Sequence, residues 1–184
     1  MRSWIASAPG TQRFVPANVF LCGLSGSGKS TVAPLLAKLR GCDVLDTDAM
    51  VVAEAGMPIA EIFAREGEAG FREREARCVA EACAHDGAVV ALGGGALERD
   101  DSFAAAARSG ILIFLDAPDD VLSRRTARAN SEVRPLLAQP DALAKMRARR
   151  DVRFAHAALK IDTSTSSPDE VACAIERALA VQAK

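Results

Sequence analysis

A three-layer α/β fold, with one five-stranded parallel sheet and helices on both faces, is predicted by two patterns in this chain. Short apolar runs alternate from end to end with longer stretches of helical periodicity, the order that builds a parallel sheet through crossover helices. The apolar runs are also continuous rather than interleaved with polar residues, as strands covered on both faces are.

Taken in order, Val19-Phe20-Leu21 reads as the first strand and residues 29–39 as the first helix. Asp43-Val44-Leu45-Asp46 is a short second strand, and the runs AVVAL at 88–92 and ILIFL at 111–115 are the third and fourth. Leu159-Lys160-Ile161 completes the sheet. Helical patterns fall at 48–55, 59–65, 69–84, 101–108, 118–129, 141–155 and 169–180. Pro118 after Asp116-Ala117, and Pro168-Asp169 after Ser166-Ser167, are start signals. Proline's missing N–H is harmless in a first turn, and acid faces the positive helix end there. Pro34 falls inside the first helix, where it removes the hydrogen bond to the Ser30 carbonyl and predicts a local kink. Residues 129–140 form the one long irregular connection, carrying Arg134 and two prolines, and are expected to act as a mobile lid.

At 184 residues the chain holds one domain's worth of core. Residues 1–17 read as a flexible lead-in and 18–184 as a single domain. Arg2 and the following Trp4-Ile5-Ala6-Ser7-Ala8 resemble a signal peptide only faintly, because Pro9, Gly10, Gln12 and Arg13 follow at once. A formal net charge of −1 gives no basic field for nucleic acid or an anionic membrane surface. No run approaches the ~18 apolar residues of a membrane span. Five cysteines without CxxC spacing, beside two histidines, favour buried reduced thiols over a disulfide framework or zinc site. The expectation is a cytoplasmic protein, monomeric, with no nucleic-acid or membrane partner.

Gly23-Leu24-Ser25-Gly26-Ser27-Gly28-Lys29-Ser30 fits G-x-x-x-x-G-K-[ST], directly after a strand and opening a helix. That context is what a phosphate-binding P-loop requires. The glycines let successive N–H groups point inward at phosphate oxygens, and the new helix adds its positive end. ATP and Mg²⁺ are therefore expected, with Gly26, Ser27, Gly28, Lys29, Ser30 and Thr31 as nucleotide-binding residues. Lys29 is expected at the β- and γ-phosphates and the Ser30 hydroxyl at the metal.

The later motifs narrow the acceptor. Asp46-Thr47-Asp48, Gly67-Glu68 with Phe71-Arg72, Gly93-Gly94-Gly95-Ala96, and Val133-Arg134-Pro135-Leu136-Leu137 follow the phosphate loop in order. Their order and spacing resemble the shikimate kinases, from about Val19 to Asp162. The resemblance implies a P-loop kinase fold and transfer of the ATP γ-phosphate to the 3-hydroxyl of shikimate, a step of aromatic amino-acid biosynthesis. It places Asp48 on the acceptor hydroxyls and Asp46 in the metal's outer shell; the plain alternative is that one of them caps the following helix. Arg72 is implied as a carboxylate-binding arginine, with Glu75 at i+3 placed to hold it.

The second such arginine is best matched by Arg150, although the family's R-x-P-L-Y departs here to Val152 and Phe154, leaving Arg149 and Arg153 open. Gly93, Gly94 and Gly95 are implied to offer backbone N–H groups to shikimate. Arg134 is implied as a lid cation reaching the γ-phosphate, and Arg125, or its neighbour Arg124, as lying along the adenine. Lys29, Asp48 and Arg134 are thus the expected catalytic groups. Asp116, at the end of ILIFLD, resembles a Walker B aspartate but reads better as a cap for the next helix. His85 and His156 lack a recognisable partner and are not needed. The rival readings are a gluconate-type sugar-acid kinase, a nucleotide kinase, and a non-catalytic regulatory module on the same fold.

Overall fold

The computed structural model describes residues 17–128, 147, 153 and 155–182. Its elements run β1 (Asn18–Cys22), α1 (Lys29–Arg40), β2 (Val44–Asp46), α2 (Thr47–Ala55), α3 (Ile59–Cys83) and β3 (Val89–Ala91). They continue with α4 (Asp100–Ser109), β4 (Gly110–Asp116), α5 (Asp119–Arg128), β5 (Leu159–Asp162) and α6 (Pro168–Gln182). The lead-in before residue 17, the expected lid at 129–140 and most of the expected helix at 141–155 lie outside the described residues.

The five strands make one all-parallel sheet in the order β2-β3-β1-β4-β5. Side chains alternate across it and fill two cores. Val19, Leu21, Val89, Ala91, Ile113 and Leu115 pack under α1 and α6 through Val32, Leu36, Val171 and Ile175. Phe20, Cys22, Val90, Leu92, Leu112 and Phe114 face Val79 and Ala82 of α3 and Ala106 of α4. Phe20, Leu21 and Ile113 are fully buried, each contributing about 1.5–3 kcal/mol of hydrophobic stabilisation. Continuous apolar runs thus do mark the central strands. The outer strands β2 and β5 differ, with exposed or half-buried residues throughout, because each has a neighbour on one side only.

The helices expected at 59–65 and 69–84 abut within α3 and are separated, as expected, at Gly67, whose φ of 71° and ψ of −175° no helix accommodates. Helix α1 carries Pro34 inside it and continues to Arg40. Among the described residues no helix is long and apolar enough to cross a membrane.

Strand order reverses at β1: the chain first builds β2 and β3 to one side, then β4 and β5 to the other. In open parallel sheets ligands bind at the carboxyl ends of the strands where this reversal occurs. The loop following β1 is the glycine-rich segment 23–28.

Candidate active site

The phosphate loop takes its shape from backbone conformations that side chains disfavour. Gly23, Gly26 and Gly28 hold φ of 144°, 83° and 95°. A methyl group at Gly23 would stand 2.3 Å from the Leu115 carbonyl oxygen, so the loop is seated directly on the end of β4. Gly28 caps α1 in the left-handed conformation without a side-chain cap, and its carbonyl accepts from the N–H groups of Thr31 and Val32 at 3.1 and 2.8 Å. Lys29 is buried, and its Nζ donates to the carbonyls of Gly23 at 2.9 Å and Leu24 at 3.1 Å. The ammonium is therefore bound along the inside of its own loop. Cys22 lies beneath; burial pushes its thiol up to about 12, only partly opposed by Lys29, so it stays protonated and unreactive at neutral pH.

Beside the loop, Ser30 Oγ donates to Asp46 Oδ2 at 2.6 Å. Asp46 Oδ1 accepts from the N–H groups of Asp48 and Ala49 at 3.0 and 3.1 Å, which makes Asp46 the N-cap of α2. Of the alternatives the sequence left, the structure shows the cap. The same carboxylate faces the hydroxyl expected to hold a metal. A hydroxyl with a carboxylate behind it is a hard-oxygen donor set of the kind Mg²⁺ uses when phosphates and waters complete its shell. The described residues contain no cluster of three or more metal-ligating side chains, and Mg²⁺ bound in this way needs none.

The acceptor end is organised around the triple glycine. A methyl at Gly93 would stand 2.5 Å from Asp48 Oδ1 and 2.7 Å from Glu75 Oε1. One at Gly95 would stand 2.3 and 2.6 Å from the two terminal nitrogens of Arg72. Missing side chains therefore let Asp48 of α2 and Arg72 and Glu75 of α3 converge on the loop after β3. Arg72 Nη1 donates to the buried Glu75 Oε2 at 2.6 Å, and Glu68 lies 3.5 Å from Nη2. Burial works against the Arg72 charge, but Glu75, with Glu98 and Glu68, outweighs it and holds its proton affinity above the ordinary value. A narrow cleft passes between the two halves of the site, lined by Cys22, Gly23, Gly93, Gly94, Leu97, Glu98 and Arg153.

The chain that carries this geometry is similar to known proteins in sequence and in fold. The family model described as shikimate kinase matches residues 25–180. A shikimate kinase of Symbiobacterium thermophilum is 44% identical over 162 residues, covering 86% of this chain and 93% of the relative. The chain belongs to the shikimate kinase family. Another relative, the shikimate kinase of Chlorobium chlorochromatii, is 36% identical and covers 88% of this chain and 92% of its own. Among solved structures, the shikimate kinase from Acinetobacter baumannii in complex with shikimate superposes with a TM-score of 0.84. It is 32% identical, covering 91% of this chain and 94% of that one.

Within this shikimate kinase, the structure separates residues that the sequence left as alternatives. Arg124 points outward to Asp120 at 2.9 Å, both largely exposed. Arg125 turns inward, donating to the Thr163 hydroxyl at 3.0 Å and reaching the Gly26 carbonyl at 3.4 Å. Arg134, Arg149 and Arg150 lie outside the described residues. Arg153 is described: it lines the cleft, pairs with Asp100, and sets its guanidinium 5.0 Å from the Phe103 ring centre. His156 packs edge-on against that same ring at 5.6 Å.

Two expectations need correction. Gly93 was expected to turn its N–H to the substrate, but that N–H donates to Thr47 Oγ1 at 2.8 Å. The missing Gly93 side chain leaves room for Asp48 and Glu75. Asp116 was expected to cap the following helix. Among the described residues the one backbone N–H its carboxylate accepts from is that of the adjacent Ala117, which lies outside α5. The rest of the carboxylate takes Arg147 Nη1 at 2.9 Å and Lys160 Nζ at 3.0 Å. Arg147 also holds Asp119 at 2.7 Å and the Ala117 carbonyl at 2.8 Å. Burial works to raise the Asp116 pKa, but Arg147 and then Lys160 prevail and hold it below its ordinary 3.8.

A depressed carboxylate stabilises the fold above its unfolded pKa and loses that contribution as pH falls through the folded value. Asp116→Asn should therefore lower the melting temperature at about pH 6 and lower it less at about pH 3. An equal deficit at both would show that the charge contributes nothing. Thr47, Arg147 and Thr163 escaped sequence reasoning, since each acts through partners far away in the chain.

Proposed function

We propose that the chain transfers the γ-phosphoryl group of ATP to the 3-hydroxyl of shikimate, giving shikimate 3-phosphate and ADP. The observation that carries this reading is the placement of Asp48 and the Glu75-anchored Arg72 against Gly93 and Gly95, across a narrow cleft from the Lys29 loop. The loop glycines and Lys29 hold the polyphosphate, and Lys29 spreads the charge that builds during transfer. Ser30 is the residue to ligate Mg²⁺ directly and Asp46 the one to hold its water shell; when bound, the ion screens the β- and γ-phosphate oxygens. Asp48 orients the attacking hydroxyl and accepts its proton. Arg72 binds the substrate carboxylate in a planar fork, shared with Arg150 from its place in the family pattern. Arg153, which lines the cleft, is the other arginine available to that carboxylate. Arg134 supplies a further cation at the γ-phosphate, and Arg125 supports the adenine.

The decisive experiment is a coupled ADP-release assay with shikimate, gluconate and nucleoside monophosphates run in parallel. Turnover on shikimate alone is expected. Gluconate alone as acceptor overturns the substrate, and silence on all of them favours a regulatory module.

The same geometry predicts a selective variant. In Gly95→Ala the added methyl meets the flexible end of Arg72, which shifts at little cost to the fold. The shikimate KM should rise about tenfold, the loss of one charge-assisted hydrogen bond, with the melting temperature nearly unchanged. An unchanged KM would remove Arg72 from the substrate site.

A further inference from the structure

We infer that Thr163 is a positioning residue for the nucleotide: its hydroxyl couples the phosphate loop to Arg125 and so sets the spacing between the phosphate grip and the base end. The inference rests on the ATP-dependent reading above. Thr163 directly follows β5 and is 3% exposed. Its N–H donates to the Asp116 carbonyl at 2.8 Å, fixing its backbone to the end of β4. Its Oγ1 lies 3.2 Å from the Ser27 carbonyl and 3.1 Å from the Asp116 carbonyl, and accepts from Arg125 Nη1 at 3.0 Å. Arg125 Nη2 closes the ring by donating to the Thr163 carbonyl.

A hydroxyl has one proton and two lone pairs. Here the proton is shared between two carbonyls, and a lone pair receives the guanidinium. The Ser27 peptide lies in the turn between Gly26 and Gly28, both at positive φ. Ser27's own hydroxyl is fully buried and, among the described residues, has no hydrogen-bond partner, so it does not brace that turn. Thr163 reaches in from 136 residues away and does. Valine in its place keeps the shape and removes both the donor to the loop and the acceptor for Arg125, whereas serine keeps both.

Calorimetric titration of MgADP into the whole chain, with no acceptor present, tests this directly. Thr163→Val should weaken MgADP about tenfold and raise the ATP KM to match, with the shikimate KM within about twofold of the parent. Thr163→Ser should recover most of the affinity. Combined with Arg125→Ala, Thr163→Val should add less than its effect alone, because the two share one bond network. Unchanged MgADP affinity with a lower melting temperature would reduce Thr163 to a packing role, as would equal rises in both KM values or a serine variant no better than valine. Should Thr163→Val not fold, Thr163→Ala carries the same expectations. A parent chain that binds MgADP but ignores shikimate leaves this inference standing and sinks the substrate instead; one that binds no MgADP removes both.

Discussion

Lys29→Met is expected to lower kcat by about 10²–10³-fold while leaving the fold intact, the range seen when one preorganised donor to developing charge is removed. Methionine nearly matches the length of the buried lysine stem, so helix α1 keeps its first turn and its packing. What disappears is the ammonium that binds the Gly23 and Leu24 carbonyls from inside the loop. Phosphoryl transfer depends on positioning and on charge neutralisation more than on covalent help from the protein, so losing that cation acts on the chemical step. Steady-state kinetics beside far-UV circular dichroism would separate this from unfolding. A variant retaining activity within about tenfold of the parent would mean that the charge is neutralised elsewhere.

Asp48→Asn should lower kcat by about 10²–10⁴-fold, the usual contribution of a positioned base, with MgADP affinity little changed. The amide keeps the shape of the carboxylate but cannot accept the hydroxyl's proton. Two contacts make the site specific to Asp48. Asp46 takes the capping N–H groups of α2, one of them Asp48's own, so the Asp48 carboxylate is not spent on the cap. Gly93 lets that carboxylate lie against the backbone after β3, beside Glu75 and next to the cleft-lining Gly94. A fall in MgADP affinity with kcat intact would instead place Asp48 at the nucleotide and remove the base from the proposed mechanism.

Much of this protein is readable in the chain because its signals are contiguous. The phosphate loop needs glycines at 23, 26 and 28 and a lysine at the next position, all within one turn between a strand and a helix. The central strands announce themselves as unbroken apolar runs because both faces of the sheet are covered. Arg72 and Glu75 share a helix face at i+3, so their pairing follows from helical spacing alone. Tertiary structure decided the rest, because it depends on partners that only the strand order β2-β3-β1-β4-β5 brings together. Nothing near Gly93 or Gly95 in sequence says that their missing side chains make room for Asp48, Glu75 and Arg72. Nothing near Asp116 foretells that Arg147 and Lys160 take its carboxylate, nor does anything near Thr163 foretell Ser27 and Arg125. Hydrogen bonds within a turn are written in adjacent residues, whereas those between elements are chosen by which strand ends the sheet sets side by side.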